Sequence, residues 1–188
     1  NKATLEPKRK FRWLLYWTGV PQFIIKSVKK PSYSVATTQH QYLNYEFYYP
    51  GRVTWQDITI TLVDPVQPNS TASLYRMLEN SGYVIPSKYE QGIARTVSKG
   101  QMVRALGNEI ALVQLDSGGT NEIEKWIIKN PLITSVDFDT VDYSSDEMLN
   151  ISVTIKYDYA YLENLDPLAA GDSRTNAAPN AALWSPIT

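Results

Sequence analysis

The chain of 188 residues has no cysteine, which excludes disulfides and thiolate metal sites together. Its single histidine, His40, leaves no pair from which a His-ligated metal site or the two-histidine helix motif of zinc enzymes could be built. Its 9 glycines spell neither a Gly-x-Ser-x-Gly elbow nor a glycine-rich phosphate loop. Asp116-Ser117-Gly118-Gly119 reads as a turn. Asp137, Asp139 and Asp142 are carboxylates that a hard cation could use, but they lack calcium-loop spacing and read as surface charge. No run approaches the roughly 18 apolar residues of a membrane span, and the opening NKATLEPKRK holds no signal-peptide core. The expectation is a soluble protein with no membrane anchor, no cofactor, no metal site, no catalytic set and no enzymatic activity.

Hydrophobic content of 43% and 13 tyrosines suit a β-rich globular protein of one domain. The net charge of −1 hides a segregation. Residues 1–30 hold Lys2, Lys8, Arg9, Lys10, Arg12, Lys26, Lys29 and Lys30 against Glu6 alone, a local charge of +7. Residues 137–172 hold nine acidic residues against Lys156, a local charge of −8. Opposed patches favour a repeating head-to-tail contact between copies, with ring stacking that loosens as salt rises. The basic start interleaves Phe11 and Trp13, as nucleic-acid grooves do. Its charge ends at Lys30 and the pI is 5.9, so direct nucleic-acid binding is not expected.

Period-two alternation carries most of the fold reading. In PGRVTWQDITITLVDP (50–65), a turn is expected at Pro50-Gly51, then a strand with Ile58, Ile60 and Leu62 on one face and Asp57, Thr59 and Thr61 on the other, then an Asp-Pro stop. Segments 10–17 and 22–28 read as strands around Gly19-Val20-Pro21. Residues 41–49 read as one strand that is aromatic on both faces, which demands cover from elsewhere. Asn69 or Ser70 caps a helix over 71–80 with Leu74, Met77 and Leu78 on its apolar stripe and Gly82 as its stop. Residues 84–100 read as an irregular excursion, with a short helical turn over 101–106. Strands are expected at 109–115, 122–129 and 132–141. A thirteen-residue strand at 149–161 closes the set, with Ile151, Val153, Ile155, Tyr157, Tyr159 and Tyr161 on one face. From residue 163 the composition shifts to Ala, Asn, Asp, Pro and Gly, an extended tail.

The run Gly51 to Thr61, with the acidic residue and short helix that follow, resembles the tail tube proteins of contractile-tailed bacteriophages of the T4-like kind, and Asn150 to Tyr159 (NISVTIKYDY) resembles their closing strand. The resemblance spans about residues 11–161. It implies a mainly β fold: a two-sheet antiparallel β-sandwich or barrel with one short flanking α-helix, whose strands join a ring-wide β-barrel in the oligomer. A tube domain over 1–162 would contain the basic strand region 1–30 and a long hairpin or loop at 34–51. The implied function is a structural subunit that stacks as hexameric rings into a conduit for genome delivery inside a contractile sheath. Its implied partners are sheath protein, baseplate tube initiator, tape measure protein and tail terminator. DNA would pass without specific binding, in a virion tail assembled in the host cytoplasm. Tyr42, Tyr45, Phe47, Tyr48, Tyr49 and Arg52 are the candidate subunit-interface residues. Thr59, Thr61, Asn150, Ser152, Thr154 and Asp158 are the candidate channel wall. A baseplate initiator and the tube of a phage-like secretion or injection system share this fold. A monomeric β-sandwich carbohydrate-binding module is the alternative of another class.

Overall fold

The computed structural model describes residues 8–85, 96–144 and 146–163. Most of the tail at 163–188, the middle of the 84–100 excursion, the first seven residues and the acidic positions beyond Glu163 lie outside the described residues. The chain is mainly β, and every strand pairing is antiparallel. The strands are β1 (Trp13–Tyr16), β2 (Ile25–Val28), β3 (Tyr33–Tyr42), β4 (Tyr45–Trp55), β5 (Ile58–Val63), β6 (Glu109–Leu115), β7 (Glu122–Lys129), β8 (Leu132–Asp137), β9 (Asn150–Lys156) and β10 (Tyr159–Glu163). Sheet one has the order β1-β6-β7-β10 and sheet two the order β2-β5-β9-β8, while β3 and β4 form a separate ribbon.

Alternation decides which faces meet. Ile58, Ile60 and Leu62 of β5 and Ile151, Val153 and Ile155 of β9 are all buried. Their registers place Ile60 opposite Val153 and Leu62 opposite Ile151. This inner face joins Leu15, Ile110, Leu112 and Ile128 of sheet one in a single core. Each such side chain contributes roughly 1.5–3 kcal/mol on leaving water, so the two sheets hold together without disulfides.

Helix α1 (Ser70–Asn80) starts where Asn69 accepts the Ala72 amide through its side chain at 2.8 Å. Gly82, at φ +108°, follows its end. Asp64, read from sequence only as a stop, also works at that helix start: its carboxylate accepts the Ser70 and Thr71 amides and the Thr71 hydroxyl, the last at 2.6 Å. Negative charge there complements the unpaired amides. A second helix, α2 (Lys99–Ala105), occupies the place expected for a helical turn, and Leu74, Met102 and Leu106 bury both helices in the core.

Several expectations need correction. Residues 149–161 are not one strand. The chain bends at Tyr157-Asp158 and leaves sheet two for sheet one, so β9 pairs with β5 and β8 whereas β10 pairs with β7. The buried parity flips with it: Ala160 turns inward and Tyr159 and Tyr161 outward, as at corners where strands change sheets. The strand expected at 132–141 ends at Asp137, and that expected at 22–28 opens with a short 3-10 turn over Gln22–Ile24. Finally, residues 41–49 hold a reversal. Leu43 and Asn44 make the turn, with Leu43 at φ +54° and Tyr42 opposite Tyr45, and Pro50-Gly51 lies inside β4.

The mouth between the sheets near β1 and β2 is tied by Glu124. Lys30 reaches its carboxylate at 2.8 Å, Lys8 also pairs with it, and the Trp126 indole N–H donates at 2.6 Å. Burial pushes this carboxyl up, but the Lys30, Lys8 and Trp126 hydrogen bonds outweigh it and hold the group at about 2, below its ordinary 4.5. A depressed carboxyl stabilises the fold fully above its unfolded value and loses that contribution as pH falls through the folded one. The melting-temperature gap between the chain and Glu124→Gln is therefore expected to hold steady above pH 4.5 and to close between 4.5 and 2. Thermal unfolding across that window checks it; a gap independent of pH contradicts it.

Candidate functional site

The ribbon β3–β4 forms a long arm whose residues are exposed along its length, with Trp55 half-buried at its base. Trp55 anchors it: its ring meets Tyr33 edge-on at 5.4 Å and Tyr157 of the body at 5.9 Å. The register slips at one point, where Gly51 and Arg52 together face Ala36, between the pairs Thr37–Pro50 and Val35–Val53. Such a bulge shifts side-chain parity by one residue. Below it, Tyr33, Val35, Val53 and Trp55 share one face. Above it, that face carries Gln39, Gln41, Glu46 and Tyr48, and the apolar side chains move to the other face.

Facing residues share a side. Tyr42 with Tyr45, His40 with Phe47 and Thr38 with Tyr49 therefore make one aromatic surface at the outer half of the arm. Alternation along a single 41–49 strand would place Tyr42 and Tyr45 on different faces; the turn at Leu43-Asn44 puts them on the same one. Tyr48 lies on the reverse side and donates to Glu46 at 2.8 Å. Arg52 sits in the bulge. The approach is tight at Gly51, where a Cβ would come 3.1 Å from the Ala36 carbonyl oxygen. Tyr45, paired with Tyr42 at the arm's turn, is 67% exposed.

The second surface is the outer face of sheet two. Thr59 faces Thr154, Thr61 faces Ser152, and Asn150 lies opposite Val63. Ser27 of β2 adds to Thr61 on one side and Ser135 of β8 adds to Thr154 on the other, two residues that sequence reading missed because β2 and β8 lack clean alternation around their bulges. The result is a continuous field of small hydroxyls. Asp158 is not part of it. It stands past the end of β9, accepting from Lys99 at 2.7 and 2.8 Å and from Asn130 at 2.8 Å. The Lys99 and Asn130 hydrogen bonds keep its carboxyl below the usual range. The outer face of sheet one is different in kind, with Val113 and Ile127 buried in it and Lys125–Glu163 and Lys129–Glu109 pairs along it.

The third feature is a pair of edges. Among the described residues, β2 and β8 each pair on one side only. Lys26, Lys29 and Lys30 lie on or just after β2, and Asp137, Asp139 and Asp142 on or just after β8. Several of these charges also serve the subunit: Lys26 donates to Asn150 at 3.0 Å, and Asp139 accepts the Thr140 and Asn150 amides at 2.8 and 3.0 Å. Those amides, Asn150 first, hold the Asp139 carboxyl low. No cluster of three or more metal-type ligands occurs among the described residues. Asp116 closes its turn by accepting from Asn121 and Thr120, and His40 lies exposed on the arm.

No protein-family model and no curated protein sequence matches the chain. Solved structures do. A chain of the anti-feeding prophage cap, the tube-terminating cap, superposes with a TM-score of 0.65 at 18% identity over 87% of this chain and 95% of that one. A chain of the six-fold symmetrised anti-feeding prophage baseplate gives 0.60 at 11% identity over 85% and 97%. A chain of the sheath–tube complex of an extracellular contractile injection system in its extended state gives 0.59 at 16% identity over 86% and 94%. The chain has the fold of these proteins.

The arm makes a stability prediction. Tyr45→Ala is expected to change unfolding free energy by no more than about 0.5 kcal/mol, as exposed positions do, whereas Trp55→Ala, which frees the base, should cost on the order of 2 kcal/mol. Denaturant titration of the isolated subunit reads both. Equal losses would mean that the outer arm packs on the body.

Proposed function

We propose that the chain is a structural, non-catalytic subunit of the tube of a contractile injection device. Copies stand side by side so that β8 of one meets β2 of the next, and sheet two continues around a central channel. The observation that carries this reading is sheet two itself: closed on its inner face by the core, small and hydroxylated on its outer face, open at both edges. Four alternating strands allow the closure. In β2-β5-β9-β8 the direction reverses at each step, so β8 against the next β2 is again antiparallel. A ring removes the two exposed edges of sheet two, β2 and β8.

On this reading Thr59, Thr61, Ser152, Thr154 and Asn150 line the channel, joined by Ser27 and Ser135. The wall is mostly small hydroxyls, and its fixed cations, Lys26 held to Asn150 at 3.0 Å and Lys156 at the end of β9, are too few to hold phosphates tightly. The outer arm, with Tyr42, Tyr45, Phe47 and Tyr49, grips a neighbouring subunit; rigid aromatic rings supply contact area at small entropic cost. The similarity to cap, baseplate and sheath–tube assemblies of injection systems supports a tube role. The finer version is the tail of a T4-like phage, with six-membered rings, genome ejection, and sheath, tape measure, initiator and terminator as partners in a virion assembled in the host cytoplasm. An injection-system tube differs from it in cargo rather than in subunit geometry. A carbohydrate-binding module would hold its aromatic rings against the body around a groove, whereas these rings lie out on the arm.

Electron microscopy of the purified chain, without any ligand, is expected to reveal rings or hollow tubes. Tyr45→Ala and Phe47→Ala should remove most of these particles while the subunit melts as before. A chain that stays a compact monomer at high concentration overturns the reading, and so does normal assembly by both variants accompanied by collapse of their melting temperature.

A further inference from the structure

The proposal here rests on the tube-subunit reading and concerns how one ring position recognises the next. The 138–149 segment leaves β8 at the end of sheet two where β9 begins, since Asp137 faces Ser152. β2 begins at the same end, since Ile25 faces Leu62 and Asn150 faces Val63. When β8 of one copy meets β2 of the next, that segment arrives beside the start of the neighbour's β2.

What lies there is a cleft of about 720 Å3 between the two sheet edges, with Lys10, Phe11, Trp13, Phe23 and Lys26 among its walls. Phe11 and Phe23 are 73% and 76% exposed, so the cleft offers two largely exposed aromatic rings, with the Arg12 guanidinium 5.2 Å over the Phe11 ring, framed by two lysines. The 138–149 segment is the complement. Val141 is 81% exposed, and Tyr143 and Met148 are also bare, while Asp142 and Asp146 stand among them. Exposed apolar side chains interleaved with one sign of charge on one edge, facing exposed apolar side chains with the opposite sign on the other, describe a heterologous contact.

We propose that the β8–β9 segment of each subunit docks into the β1–β2 cleft of the adjacent copy, with Val141 and Tyr143 against Phe11 and Phe23, and Asp142 and Asp146 toward Lys10 and Lys26. The contact sets the order of subunits around the ring. It also relocates the charge complementarity seen in the sequence, from stacking between rings to the lateral seam within each one.

Charge reversal tests it. One variant carries Lys10→Glu with Lys26→Glu; a second carries Asp142→Lys with Asp146→Lys. Each alone places like charges at every seam and is expected to lose rings. Mixed in equal amounts they are expected to form rings again, because alternating copies restore an opposite pair at both kinds of seam. A chain carrying all four changes is also expected to assemble. Neutral replacements, Lys10→Gln with Lys26→Gln, should raise the concentration needed for assembly about tenfold, which keeps the test alive if a reversal unfolds the subunit. Single reversals that assemble as well as the unaltered chain overturn the seam and leave the tube reading standing. Variants that melt like the parent yet stay apart when mixed overturn it as well. An unaltered chain that never forms rings removes the tube reading, and the seam falls with it.

Discussion

Backbone hydrogen-bonding capacity on the outer edges of β2 and β8 is the constraint on which the rest depends. Every other strand of sheet two is paired on both sides, and its inner face is shut by Ile58, Ile60, Leu62, Ile151, Val153 and Ile155 against sheet one. The core therefore makes a stable subunit whose sheet two is left unfinished at both edges. Edges of this sort are templates for pairing, and a protein that leaves two of them with opposite charge has a geometry suited to a repeating array. The hydroxyl face between the edges would then line the inside of whatever the array encloses.

The arm shows how a single extra residue can separate two tasks. Below the Gly51-Arg52 bulge, the apolar side of the ribbon carries Trp55 and faces Tyr157 of the body. Above it, the aromatic side points the other way and has no partner within the subunit's described residues. One ribbon thus anchors itself with one face and presents the other. The base packs through Trp55, Tyr33 and Tyr157 without the outer rings.

Strands with one buried face were legible in the sequence because period-two alternation is imposed by the pleat. β6 and β7 were located to their ends; β5 was located at its far end before Asp64, but its start was placed too early, since Arg52 to Trp55 belong to β4; and the capped helix at Ser70–Asn80 followed from Asn69 and Gly82. What escaped was set by tertiary context. The apparent strand at 149–161 keeps alternating through Tyr157, Tyr159 and Tyr161, yet Asp158 turns the chain into the other sheet under the pull of Lys99 and Asn130. Pro50-Gly51 spelled a stronger turn than Leu43-Asn44, but Gly51 sits inside β4 in a tight approach to Ala36, and a leucine took the positive φ. Of the candidate site, the Thr59–Thr154 and Thr61–Ser152 rows and the arm tyrosines were readable. The edge strands β2 and β8, short and bulged, hid Ser27 and Ser135.

Hydrogen exchange resolved by residue, comparing the dispersed subunit with its assembled form, tests the central claim most directly. Amides of β5 and β9 are expected to be protected in both states, since their partners lie within the chain. Amides on the outer edges of β2 and β8 are expected to exchange quickly in the dispersed subunit and to gain protection together on assembly. Assembled particles in which those two edges still exchange freely would contradict the account.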